Sequence, residues 1–202
     1  MGILKVKENV VLVANFLDSN FLNEKIIMVV IMDYSTRLKE LRTSELLTQQ
    51  EMANVLQISR STYKDYELQI KILPIHYLNI ICNYFHVSID YLLGLSDVKQ
   101  YSDSELSIDI EKQAERLNDL RKNKKITQEF LANLLNTSHS MISDYENKKK
   151  FIPTPFLYQI CFKYKISADY LLGKTNNPDL TYDCFVILSY SPMKKSSVIP
   201  AI

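Results

Sequence analysis

Residues 127–146, TQEFLANLLNTSHSMISDYE, read as a short helix, a tight turn and a second helix. A close copy, TQQEMANVLQISRSTYKDYE, occupies residues 48–67, at an offset of 79. Aligning residues 37–94 with 116–173 needs no gap and gives 25 identities in 58 positions. A repeat of that length is one structural unit used twice, so the organisation of the chain follows from the unit.

The first copy shows how the unit is built. Leu38 and Leu41 lie one helical turn apart, with charged residues on the opposite face. Thr48 and Glu51 have the spacing of a capping box, in which each end of the pair satisfies an otherwise free amide. Met52, Ala53, Val55 and Leu56 form an inward face, and Ala53 is small where a neighbouring helix comes close. Ser59 can cap the next helix, whose Tyr63 and Tyr66 point inward. Pro74 opens a fourth helix in its first turn, striped by Leu78, Ile81, Cys82 and Phe85. Ser88 starts a fifth, with Gly94 just past its end as a left-handed cap. The second copy repeats the order through helices at 127–135, 138–146, 153–164 and 167–172. The expected fold is all-α: two five-helix domains at 35–95 and 115–176. Residues 96–114 then form an acidic linker, and 177–202 a loosely ordered tail. Residues 1–34 are unassigned: a segment ahead of the native start (Met28 or Met32) or an amphipathic element that aids dimerisation.

Composition narrows the chemistry. Three glycines in 202 residues, and no GxGxxG or GxxxxGK[ST] pattern, argue against a phosphate-binding loop. The three histidines His76, His86 and His139 have no catalytic or metal partners at recognisable spacing, so neither an enzyme nor a cofactor is expected. Cys82 and His86 are spaced i, i+4, but the counterpart pair is Cys161 and Lys165. Packing explains the cysteines better than a metal, in a reduced, cytoplasmic protein. The apolar runs near the start fall short of the ~18–20 residues that span a bilayer. A net charge of +1 hides an asymmetry. Residues 36–98 hold 6 Lys/Arg against 7 Asp/Glu, whereas residues 115–177 hold 11 against 6. The second unit suits a polyanion better than the first.

Both copies share Arg-Leu-x-x-Leu-Arg, Thr-Gln-x-x-x-Ala-Asn-x-Leu, Ser-x-Ser-x-x-x-Asp-Tyr-Glu, a proline, and Ser-x-Asp-Tyr-Leu-Leu-Gly. This pattern resembles the phage repressor/Cro-type (Xre-type) helix-turn-helix family, over about 60 residues in each half. The resemblance implies repressor-like domains that bind double-stranded DNA, in a bacterial transcriptional regulator, most simply a repressor. A major groove about 12 Å wide admits one helix, so the third helix of each unit would project into it while the second braces it. Carried over by position, the base-reading residues are Arg60, Ser61, Lys64 and Asp65, then His139, Ser140, Ser143 and Asp144. Arg60 is the one suited to bidentate contact with guanine. Gln49 and Gln128, at second-helix N-termini, and Arg42, Arg121, Lys148, Lys149 and Lys150 would meet phosphates.

Blander readings stand beside these. Tyr66, Tyr91, Tyr145 and Tyr170 recur at matched positions as core residues. The lysine run 148–150 is either a phosphate contact or a solvated turn, and Arg60 either a base reader or a salt-bridge partner. Asp65 and Asp144 would repel phosphate unless they orient Arg60, Lys64 or His139; alternatively, one unit no longer binds DNA. Where the family usually places glycine after the third helix, this chain has Gln69 and Lys148, so the turn is expected to use Asn147 in the left-handed region. The first unit's loop, LQIKIL, looks protein-facing. The sequence therefore also allows a homodimer, or an antitoxin-like or adaptor module with a protein partner on domain 1.

Overall fold

The computed structural model describes residues 34–99 and 107–180. Ten helices form among these residues, with no strand. Unit 1 comprises α1 (Tyr34–Ser44), α2 (Gln49–Val55), α3 (Arg60–Glu67), α4 (Ile75–Tyr84) and α5 (Ile89–Leu92). Unit 2 comprises α6 (Ile110–Asn123), α7 (Gln128–Leu134), α8 (His139–Glu146), α9 (Thr154–Tyr164) and α10 (Ala168–Leu171).

Local chemistry explains where these helices start. Thr48 and Glu51 form the reciprocal capping box. Thr127 caps α7 without one, because Phe130 stands where Glu51 does. Ser59, Ser88, Ser138 and Ser167 each accept an amide of the helix they precede. Pro74 and Pro153 sit one place earlier than expected, as N-caps with extended ψ rather than inside the first turn.

Helix ends are less ordinary. Among the described residues, eight non-glycine residues have positive φ, and they fall into four pairs at the repeat offset: Leu46 and Lys125, Gln57 and Asn136, Gln69 and Lys148, His86 and Lys165. The turn after the third helix thus uses Gln69 (φ 54) and Lys148 (φ 62) themselves. Asn147, at φ −99, is not the left-handed residue. The tertiary fold dictates the left-handed position, and whichever side chain occupies it accepts a cost of about 1–2 kcal/mol.

The unit boundaries shift outward from those expected. Tyr34 is buried, its hydroxyl donating to the Lys71 carbonyl and accepting from the Leu73 amide. Arg37 clasps the other end, reaching the carbonyls of Tyr91 and Ser96 and the Asp97 carboxylate. Arg116 does the same with Tyr170, Thr175 and Asn176. These arginines lie over the Tyr91 and Tyr170 rings, which are half-buried; Tyr66 and Tyr145 are true core residues. Residues 107–114 belong to unit 2 rather than to a linker: Asp109 caps α6, and Gln113 and Ala114 are buried. Residues 177–180 also belong to it, since Leu180 is buried and Asp179 bridges to Ile166.

The buried side chains of the two units form one continuous cluster. At the junction, α5 and α10 meet N-terminus to N-terminus. The Asp90 carboxylate accepts from the Ala168 amide (2.6 Å) and the Ser167 hydroxyl (2.5 Å). The Asp169 carboxylate accepts from the Ile89 (3.1 Å) and Asp90 (2.9 Å) amides. Exchanging 89 with 168 and 90 with 169 maps the Asp90–Ala168 bond onto the Asp169–Ile89 bond, while the second bond of each carboxylate differs, so the junction is two-fold only in part. The two units of one chain therefore pack against each other through matched aspartates, as an approximate internal dimer. Unit-specific bonds reinforce it: Thr154 to the Leu73 carbonyl, and Lys174 to Asn79 and Asn83.

Candidate nucleic-acid interface

Each third helix is held by its inner face. Tyr63 and Tyr66 in α3, and Ile142 and Tyr145 in α8, are buried. With the caps at Ser59 and Ser138 fixing the first turn, 3.6-residue periodicity turns the remaining positions outward. Arg60, Ser61 and Lys64 are exposed, and Asp65 is half-buried. In α8, His139 and Ser140 are exposed, with Ser143 and Asp144 half-buried beside them. The structure thus gathers all eight expected base readers into one short stripe on each helix.

A buried glutamate ties that helix to the two before it. The Glu67 side chain is 3% exposed and accepts from Arg42 Nε (2.5 Å) and Gln49 Nε2 (2.8 Å). Glu146 repeats this with Arg121 Nε (2.6 Å) and Gln128 Nε2 (2.7 Å), and adds Asn118 (3.1 Å). Burial pushes both carboxyls up, but the arginine and glutamine bonds outweigh it and hold them below the ordinary carboxylate range. A buried carboxylate is tolerable only with such partners. Arg42, Arg121, Gln49 and Gln128, expected at phosphates, are therefore engaged inside each unit. Through Glu67 and Glu146 they tie the third helix of each unit to the first two.

The two aspartates have partners as well. Asp65 pairs with Lys71 (2.8 Å), and Asp144 with Lys150 (3.1 Å) and Lys149 (3.4 Å). They do not orient Arg60, Lys64 or His139. The left-handed turn at Gln69 or Lys148 folds the loop back over the last helical turn, which brings the residue six places on above the aspartate. These lysines are all more than half exposed, so the pairs are weak and exchangeable for phosphate. Lys148 is exposed at the tip of its turn. The serine hydroxyls are less free: Ser61 and Ser140 touch the capping Ser59 and Ser138, and Ser143 accepts from Asn147.

One cation escaped the sequence reading. An open groove beside α8 is lined by Arg121, Lys125, Gln128 and His139. Lys125 reaches it from a left-handed turn, and only the general basic character of residues 121–125 hinted at it. The matching residue in unit 1 is Leu46, 91% exposed.

Comparison with known proteins decides the family. Residues 38–92 match the family described as Helix-turn-helix, and residues 114–177 match the one described as Helix-turn-helix domain. This is a tandem helix-turn-helix protein. Two relatives of this tandem helix-turn-helix protein are from Bacillus subtilis (strain 168). It is 39% identical over 64 residues to the uncharacterized HTH-type transcriptional regulator YobD, covering 32% of this chain and 57% of the relative. It is 42% identical over 71 residues to the uncharacterized HTH-type transcriptional regulator YqaE, covering 35% and 61%. The chain thus spans about three-fifths of the length of each. No solved structure matches it. No helix among the described residues is long and apolar enough to cross a membrane.

Proposed function

We propose that this tandem helix-turn-helix protein is a sequence-specific, double-stranded-DNA-binding transcription regulator. It acts in the cytoplasm, without cofactor or catalysis, as a repressor that occupies its operator. The observation that carries this reading is the pair of braced recognition helices, each with its first turn turned to solvent. Arg60, Ser61, Lys64 and Asp65, and His139, Ser140, Ser143 and Asp144, read base edges; Lys148, Lys149, Lys150 and Lys125 hold phosphates. Arg42, Arg121, Gln49 and Gln128 act from behind, by positioning the helices.

Fluorescence anisotropy with duplexes cut from the DNA flanking its own gene tests this. The expected result is binding that depends on sequence and falls steeply with salt. Equal, salt-insensitive binding to all duplexes, or none, would overturn it. A second reading has its own observation: Leu46, Leu68, Ile70 and Ile72 are exposed around the unit 1 loops. That surface suits a protein partner, as in an antitoxin or assembly adaptor, and the same titration decides between the two.

A further inference from the structure

The two units meet through matched aspartates and differ where they face outward. Residues 88–90 and 167–169, the matched segments of the two units, are buried against one another. A chain whose two units already close on each other has no need of a partner chain to present two recognition helices. The reciprocal hold of Asp90 and Asp169 also sets one fixed relation between α3 and α8.

The outward differences are concentrated on the candidate interface. Arg60 stands where unit 2 has His139, and Lys64 where it has Ser143. Neither Arg60 nor Lys64 has an ion-pair partner among the described residues, so both are available to bases. Only arginine or lysine makes the bidentate contact to guanine O6 and N7, whereas histidine and serine discriminate less. The balance reverses for phosphate. Unit 2 presents Lys125, Lys148, Lys149 and Lys150, where unit 1 presents Leu46, Gln69, Ile70 and Lys71.

We propose that one chain occupies a complete operator of two unlike half-sites, in which unit 1 selects guanine through Arg60 and unit 2 anchors the sugar–phosphate backbone. This rests on the DNA-binding reading above. The guanine-containing half-site carries most of the specificity, and the other most of the salt-dependent affinity. Because the junction is fixed, the spacing between the halves is fixed too.

The test is selection of duplexes from a random 30-base-pair library by the full chain, with native mass spectrometry of the selected complex. One chain per duplex, and a consensus of two different half-sites at one spacing, is the expected result. Two chains per duplex, or two identical inverted half-sites, overturns the inference but leaves the DNA-binding reading intact. Failure to enrich any sequence overturns that reading itself. Two exposed-surface variants then assign the halves. Arg60→His should erase the guanine preference in one half-site only. Lys148→Ala with Lys149→Ala should leave the consensus unchanged while lowering affinity about tenfold and flattening its salt dependence. An unchanged consensus with Arg60→His overturns the division of labour, and circular dichroism of that variant excludes a folding defect.

Discussion

Units 1 and 2 share an interior and differ on their faces. Leu38, Ala53, Leu56, Tyr66, Leu78, Ile81, Cys82, Leu92 and Leu93 are identical to their counterparts 79 residues on, and all are buried in both copies. So is the Arg–Gln–Glu brace beneath each recognition helix. Around the loops that flank those helices, lysines in one copy face leucine and isoleucine in the other. Duplication preserved what is expensive to change. Close packing penalises even a methylene misplaced in a core, whereas exposed substitutions usually cost under about 0.5 kcal/mol. The outer faces were therefore free to take different roles.

The comparison can be broken most severely at the brace. Arg42→Ala and Arg121→Ala each leave a buried carboxylate without its cationic partner, and each should cost about 3–5 kcal/mol in urea unfolding. Near-equal losses would support one scaffold used twice; a large difference would show that only one unit depends on it. Because one hydrophobic cluster runs through both units, either variant should unfold the two units in a single transition.

The junction responds to pH in the opposite sense to the brace. Burial and the mutual repulsion of the two carboxylates push Asp90 up to about 7, and burial also raises Asp169, against the pull of the Asp90 and Ile89 amides and of Lys174. Between the ordinary Asp range near 3.8 and about 7, the folded chain holds more protons than the unfolded one. This contribution to stability is complete below that range and lost as pH rises to about 7. Glu67 and Glu146, held low, contribute above the ordinary range of 4.5, and their contribution is lost as pH falls. Melting temperature should therefore decline from about pH 5 to pH 7. Asp90→Asn should flatten that decline and raise the pH 7 melting temperature by several degrees, because Ser167 can turn its hydroxyl to accept from the new amide. An unchanged pH profile in that variant would remove the carboxylate pair as its cause.

Smaller effects sharpen the contrast between the faces. Lys149→Ala should weaken DNA binding several-fold and reduce the salt slope by about one, whereas Ile70→Ala at the matching place should leave both unchanged. Equal losses would place unit 1's loop on the phosphates after all. Smallest of all, Gln69→Gly and Lys148→Gly should each stabilise the fold by up to about 1 kcal/mol, by relieving a left-handed side chain. A loss of stability in one unit alone would mean that its side chain does more than occupy the turn.

Much of this was legible beforehand. The repeat, the serine and threonine caps, the inward tyrosines and the outward stripe at 60, 61, 64 and 65 are local or periodic features, and periodicity survives in a linear string. The unit edges were less legible, because Tyr34 and Leu180 are held by residues distant in sequence from them. Arg42 with Glu67, and Arg121 with Glu146, are each 25 residues apart and identical in both copies, yet spacing alone does not show that a glutamate is buried. The aspartates misled for the same reason: the backward fold of the following loop, which brings Lys71 and Lys150 to them, has no residue signature here without glycine.

The sequence by itself determined the unit, its duplication and the side chains each recognition helix turns outward, because caps and helical periodicity act over a few residues. Only the tertiary structure decided that the two copies close on each other through Asp90 and Asp169, and that Arg42 and Arg121 face inward. Those choices depend on which distant groups meet once water is excluded. A buried charge takes whatever partner the fold provides.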